Sequence, residues 1–137
     1  MPVVMRKTNY VMRTLTSLVE KLCPSSRDYV LFVVMFAVPN TDTDEFRNVS
    51  DAVLSTFSRE IKEGLLEVMV IPPKWYELEF EMLVPTFGDS KERMRWRTKQ
   101  NLDYFYLMNY ARHKAEYYMQ LEDDIIATSG YSYVSSI

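Results

Sequence analysis

Three consecutive acids, Glu122, Asp123 and Asp124, close the apolar run in Y-Y-M-Q-L-E-D-D-I-I at residues 117–126. Adjacent carboxylates repel one another, so solvent, a cation or a basic neighbour must hold them. A strand whose carboxyl end carries such acids has the form of the ligand-binding edge of an open α/β sheet. A second set of chemically capable residues lies upstream, in K-E-R-M-R-W-R-T-K-Q-N at residues 91–101. At helical spacing Lys91, Arg95 and Lys99 share one face, while Arg93, Arg97 and Asn101 share another. Two readings stand for these rows: a solvated cationic surface, or a row aimed at phosphate. Arg suits the second, because its planar fork grips phosphate oxygens in pairs.

Composition excludes several alternatives. The chain has 137 residues, enough for one domain with a core of useful size. Hydrophobic residues make up 47 %, a globular composition. A net charge of −3 argues against a general nucleic-acid binder, which needs a basic footprint. The single cysteine, Cys23, allows no intrachain disulfide and reads as a half-buried small hydrophobe. The single histidine, His113, excludes a His-rich metal site and reads as an exposed residue near a helix end. No segment has the ~20 apolar residues that span a bilayer. With three glycines, Gly64, Gly88 and Gly130, there is neither G-x-G-x-x-G nor a P-loop, so any bound nucleotide is held by side chains or a cation.

The elements that must position these groups follow an α/β alternation. Residues 1–5 leave room for only a clipped first strand. Val11, Met12, Leu15, Leu18, Val19 and Leu22 mark a helix face, with Asn9 as the expected cap. Residues 29–38 form an apolar, β-branched run, expected as a strand covered on both faces. Phe46, Val49, Val53, Phe57 and Ile61 mark a second helix, capped by Asp44 and stopped by Gly64. Residues 65–71 read as another buried strand. Residues 74–86 lack a period and read either as a functional loop over the ligand edge or as aromatics packed on the sheet edge. Asp89 and Glu92 suggest a capping box for a third helix, with Met94, Thr98, Leu102, Phe105 and Asn109 on one face, ending near His113. The run before the acid triplet is expected as the final strand.

Residues 87–104, F-G-D-S-K-E-R-M-R-W-R-T-K-Q-N-L-D-Y, followed by residues 117–126, closely resemble the N-acetylglucosaminyltransferase IV family. Its members are alpha-1,3-mannosyl-glycoprotein 4-beta-N-acetylglucosaminyltransferases. The similarity extends more weakly back to about Arg6. It implies a Rossmann-like GT-A glycosyltransferase fold, a mostly parallel sheet with helices on both faces, of which residues 1–137 would be the donor-binding half. The implied reaction is inverting transfer of N-acetylglucosamine from UDP-GlcNAc to O4 of the α1,3-linked mannose of an N-glycan, in the Golgi. The acid triplet would be the family's D-x-D motif and Mn²⁺ its metal.

On that resemblance Asp124 would bind the metal, and Glu122 and Asp123 would contact the ribose or the metal's waters. Asp42 would approach the uracil ring, and Arg6 the nucleotide. Arg97 and Asn101 stand either at the diphosphate or as salt-bridge anchors of their helix. The general base that inverting transfer requires would lie beyond Ile137, and the family's membrane anchor and stem before Met1. The chain is therefore expected to be a fragment, with two functional readings. One is a UDP-GlcNAc-dependent transferase or its donor-holding part. The other is an inactive relative that binds and regulates a transferase.

Overall fold

The computed structural model describes residues 1–76 and 82–132. Its centre is a three-stranded parallel sheet in the order β1 (Pro2–Val3), β2 (Phe32–Phe36), β3 (Leu66–Val70). Met35 lies between Pro2 and Met69, and Phe36 between Val3 and Val70. The first strand is thus present, but only two residues long.

Alternation along β2 separates two cores. Phe32, Val34 and Phe36 join Val3 and Leu66 in one cluster, under α1 (Val11–Glu20), α2 (Asp44–Thr56) and the short α3 (Ser58–Lys62). Val11, Leu15 and Leu18 of α1 and Val53 of α2 complete it. Met35 and Ala37 point the other way, to Ile71, Tyr76 and Leu107 of α4 (Lys91–Ala111). Helices therefore cover both faces of a parallel sheet, as expected for an α/β fold.

Local details depart from the sequence reading in instructive ways. The strand expected over 29–38 is shorter, because residues Pro24–Tyr29 form a 3-10 turn that leaves Tyr29 exposed. The second helix breaks at Phe57, which turns its ring into the core. Gly64 ends it at φ +77°, a left-handed conformation that glycine adopts without steric cost. Thr43, not Asp44, is the cap of α2 and accepts from Phe46 N at 3.2 Å. Ser90, not Asp89, caps α4 and accepts from Arg93 N at 3.2 Å. Asn9 does not cap α1, whose first residue follows Tyr10 with no side-chain cap. On α4 the buried positions are Asp103 and Leu107, and Phe105 and Asn109 are exposed.

The largest correction concerns the final strand. Residues 117–122 are neither helix nor strand, and Asp123–Asp124 form a turn. The open edge of β1 offers two residues, one of them a proline without an N–H, so it is a poor template for another strand. Helix α1 supplies the partners instead. Thr14 Oγ1 lies 2.7 Å from Asp123 O and 2.9 Å from Ile125 O, and its one proton serves either carbonyl. Ser17 Oγ accepts from Ala127 N at 3.0 Å, and Lys21 Nζ donates to Ala127 O at 2.6 Å.

Of residues 74–86, those at 77–81, Phe80 among them, lie outside the described residues. Tyr76 is buried beneath α4, and Trp75 packs on Tyr106 with ring centroids 5.2 Å apart. These two aromatics serve the core and its rim.

Candidate functional site

The carboxyl ends of β1 and β2, the turn at Asp123–Asp124 and one face of α4 enclose a cavity of about 840 Å³. Chain direction explains the site: in a parallel sheet all strands end on one side, and the connections leaving them form its rim. Arg6 follows β1, Asn40 and Thr43 follow β2, and Lys99, Asp103 and Tyr104 project from α4. Glu122, Asp123 and Asp124 complete the rim.

Arg6 is the basic neighbour that the acids require. Its guanidinium pairs closely with Asp123 Oδ1 and lies 3.6 Å from Asp124 Oδ2. Asp123 is 2 % exposed, and its Oδ2 is buried with no hydrogen-bond partner. Burial pushes its carboxyl above the usual carboxylate range, against the opposing pull of Arg6. Asp124 is accessible, with 40 % of its side chain exposed. Glu122 Oε1 accepts from Tyr104 Oη at 3.3 Å, which joins the acid turn to α4.

The opposite wall is held by a buried network. Lys99 Nζ donates to Asp103 Oδ2 at 2.7 Å and to Ala37 O, just past β2, at 2.9 Å. Tyr76 Oη donates to Asp103 Oδ1 at 2.7 Å. Burial raises the Asp103 carboxyl, while Lys99 and Tyr76 draw it down. The Tyr76 phenol is raised by burial first and then by Asp103.

Four of the residues singled out from sequence line this cavity together: Arg6, Glu122, Asp123 and Asp124. Three are placed elsewhere. Asp42 is exposed and paired with Arg47 of α2. Arg97 pairs with Asp89, which also lies 3.0 Å from Arg93, and its guanidinium stands 5.9 Å from the centre of the Phe87 ring. Asn101 is exposed and outside the lining. Of the two cationic rows on α4, it is Lys99 of the other row that reaches the cavity. Trp96, Gln100, Asp103 and Tyr104 also line it and were not singled out. Their shared signal was available: positions 96, 99, 100, 103 and 104 fall on one helical face.

Five carboxylates line the cavity, those of Glu45, Asp103, Glu122, Asp123 and Asp124, against two cationic side chains, Arg6 and Lys99. Such a surface repels a bare anion. Among the described residues no group of three or more His, Cys, Asp or Glu side chains is arranged to hold a metal ion by itself. The unpartnered Asp123 Oδ2 and the accessible Asp124 carboxylate are hard oxygen donors. They fit a divalent cation that draws its remaining ligands from water and a phosphate group, as Mg²⁺ commonly does.

A parallel α/β sheet with a cavity across its strand ends has the form of the open-sheet class, whose ligands bind at that edge. The chain belongs to the MGAT4 family, matching its conserved region over residues 1–137. It is 48 % identical over 131 residues to alpha-1,3-mannosyl-glycoprotein 4-beta-N-acetylglucosaminyltransferase A of Gallus gallus, covering 95 % of this chain and 24 % of that protein. The same enzyme of Rattus norvegicus is 48 % identical over the same shares. The B enzyme of Homo sapiens is 46 % identical over 123 residues, covering 90 % of this chain and 22 % of that protein. The chain thus spans about a quarter of the length of these curated relatives. No solved structure matches it.

Proposed function

We propose that residues 1–137 form the donor-binding half of a GT-A-type N-acetylglucosaminyltransferase domain that takes UDP-GlcNAc and serves β1,4 branching of the α1,3-mannose arm of N-glycans, in the Golgi. The relatives' names supply the reaction class. The observation that carries the reading is the meeting of Arg6 with the acid turn in a cavity at the strand ends.

Asp124 would hold a divalent cation, Mn²⁺ in this reading, and Asp123 would support it from the buried side. Such a cation, bound to a nucleoside diphosphate, neutralises the charge that develops on the leaving phosphates. The chain's own residues then have distinct tasks. Arg6 balances the acids and stands within the same cavity to meet a phosphate oxygen. Glu122, which accepts from Tyr104, would also accept from a sugar hydroxyl. Thr14 fixes the backbone of the acid turn, so the carboxylates need little rearrangement when a ligand arrives.

Calorimetry of UDP binding with and without Mn²⁺ tests this reading. Binding should require the cation, and Asp124→Ala should weaken it by at least about tenfold, the loss of one charge-assisted ligand. UDP affinity indifferent to Mn²⁺ and to Asp124→Ala would overturn the metal assignment.

A further inference from the structure

Trp96 is the open aromatic surface of the α4 wall. It is 60 % exposed, lines the cavity, and no aromatic ring among the described residues packs on it. Tyr104, also on the lining, is committed: its hydroxyl meets Glu122 at 3.3 Å and Gln100 Nε2 at 3.3 Å. The two residues mark opposite ends of the α4 wall, about 12 Å apart at 1.5 Å of rise per residue. Tyr104 adjoins the acid turn. Lys99, one turn after Trp96, is bonded to Ala37 O, so Trp96 stands toward the loop that leaves β2.

That loop contributes Asn40 to the same cavity. Asn40 Oδ1 accepts from Asp42 N at 2.9 Å, which leaves its amide protons without a partner among the described residues. An open indole face and a free amide donor therefore stand at the end remote from the acid triplet. A planar base with edge carbonyls satisfies both: its face stacks on Trp96 and a carbonyl accepts from Asn40. A pyranose, rich in hydroxyl donors, is better served by the carboxylates at the other end.

We infer that Trp96 is the stacking face for the nucleobase of the donor nucleotide, with Asn40 as the hydrogen-bond donor at the base edge. This rests on the reading of the cavity as a nucleotide-diphosphate site. It assigns the two ends of the cavity: base at Trp96, diphosphate at the acid turn.

Calorimetry on the full 137-residue chain, with Mn²⁺ present, tests the assignment with UDP, UMP, inorganic pyrophosphate and N-acetylglucosamine 1-phosphate as probes. Trp96→Ala should weaken UDP and UMP by about tenfold or more, as expected for loss of one base-stacking contact. Pyrophosphate binding should stay unchanged, and Trp96→Phe should restore most of the UDP affinity. Asn40→Ala should weaken UDP by a smaller factor. In a Trp75→Phe background, UDP should quench the remaining indole fluorescence. UDP affinity within twofold of wild type in Trp96→Ala would overturn the inference, and so would an equal loss of pyrophosphate. A larger loss of N-acetylglucosamine 1-phosphate than of UMP would place the sugar on Trp96 and overturn it too. If the wild-type chain binds UDP and Asp124→Ala does not, the donor reading stands whatever Trp96 does. If wild type binds neither UDP nor pyrophosphate, that reading fails and takes this one with it.

Discussion

The two walls of the cavity each carry a buried carboxylate paired with a cation, but they rest on the fold differently. The backbone of the acid turn is docked on α1 by Thr14 at the carbonyls of Asp123 and Ile125, by Ser17 at the amide of Ala127 and by Lys21 at its carbonyl, while the Asp123 carboxylate pairs with Arg6. Helix α4 is fixed to the sheet by a buried ion pair, Lys99 with Asp103, completed by Tyr76 and by Ala37 O. A hydroxyl satisfies backbone groups of a segment without a ladder, at modest net gain for each bond. A buried ion pair fixes geometry more tightly, but either member becomes a liability if the other is lost. At the backbone, the ligand-facing turn is thus the softer wall and the helix the stiffer one.

Breaking the stiff wall should have the larger effect. Asp103→Ala leaves the buried Tyr76 hydroxyl without its acceptor and the half-buried Lys99 ammonium with Ala37 O alone, and should cost about 3 kcal/mol in denaturant unfolding. The paired replacement Lys99→Met with Asp103→Leu should recover most of that loss, because removing both charges removes the desolvation cost as well. A double variant as unstable as Asp103→Ala would show that the network stabilises beyond balancing its own charges.

On the soft wall, Thr14→Val keeps the shape and removes the hydroxyl. The expected loss is about 1–2 kcal/mol, since a buried carbonyl goes unpaired. Hydrogen exchange should localise the change: amides at 123–127 should exchange faster while those of α4 stay protected. Uniformly faster exchange across both walls would erase the distinction between them.

The smallest effect is a pH dependence, to which each wall contributes one carboxyl raised by burial, Asp103 and Asp123. Burial raises the folded-state carboxyl of Asp103 above its unfolded value, so the folded state binds the proton more tightly. Its contribution to stability is fully present below the ordinary carboxylate value of about 4 and is lost as pH rises through the raised folded value. Across that window the unfolding free energy of the wild type should fall, relative to that of Asp103→Asn, as pH rises. Identical slopes in both proteins would assign the dependence to other carboxylates.

Much of the architecture was legible in the chain's pattern. The stretches at 29–38 and 65–71 read as strands covered on both faces; they contain β2 and β3, and the two cores cover them. Caps were less legible, because Thr43 and Asp44, or Asp89 and Ser90, are adjacent residues that both cap well, and a one-residue shift chooses between them. The final strand was misread for a different reason. An apolar run shows what it avoids, which is water, but not what it packs against. Here the sheet edge was too short to receive it.

The sequence by itself determined the α/β alternation, the family and the acid triplet, because periodicity and long motifs are local properties of the chain. It also put Arg6 among the candidates for the same site. Only the tertiary structure decided that Arg6 spans Asp123 and Asp124, that Lys99 rather than Arg97 turns toward the cavity, and that Trp96 lines it. The reason is geometric. A helical face is readable from spacing, but which face meets the sheet depends on the buried contact that anchors the helix. On α4 that contact is Lys99 and Asp103, a charged pair in a place where an apolar stripe is the usual guide.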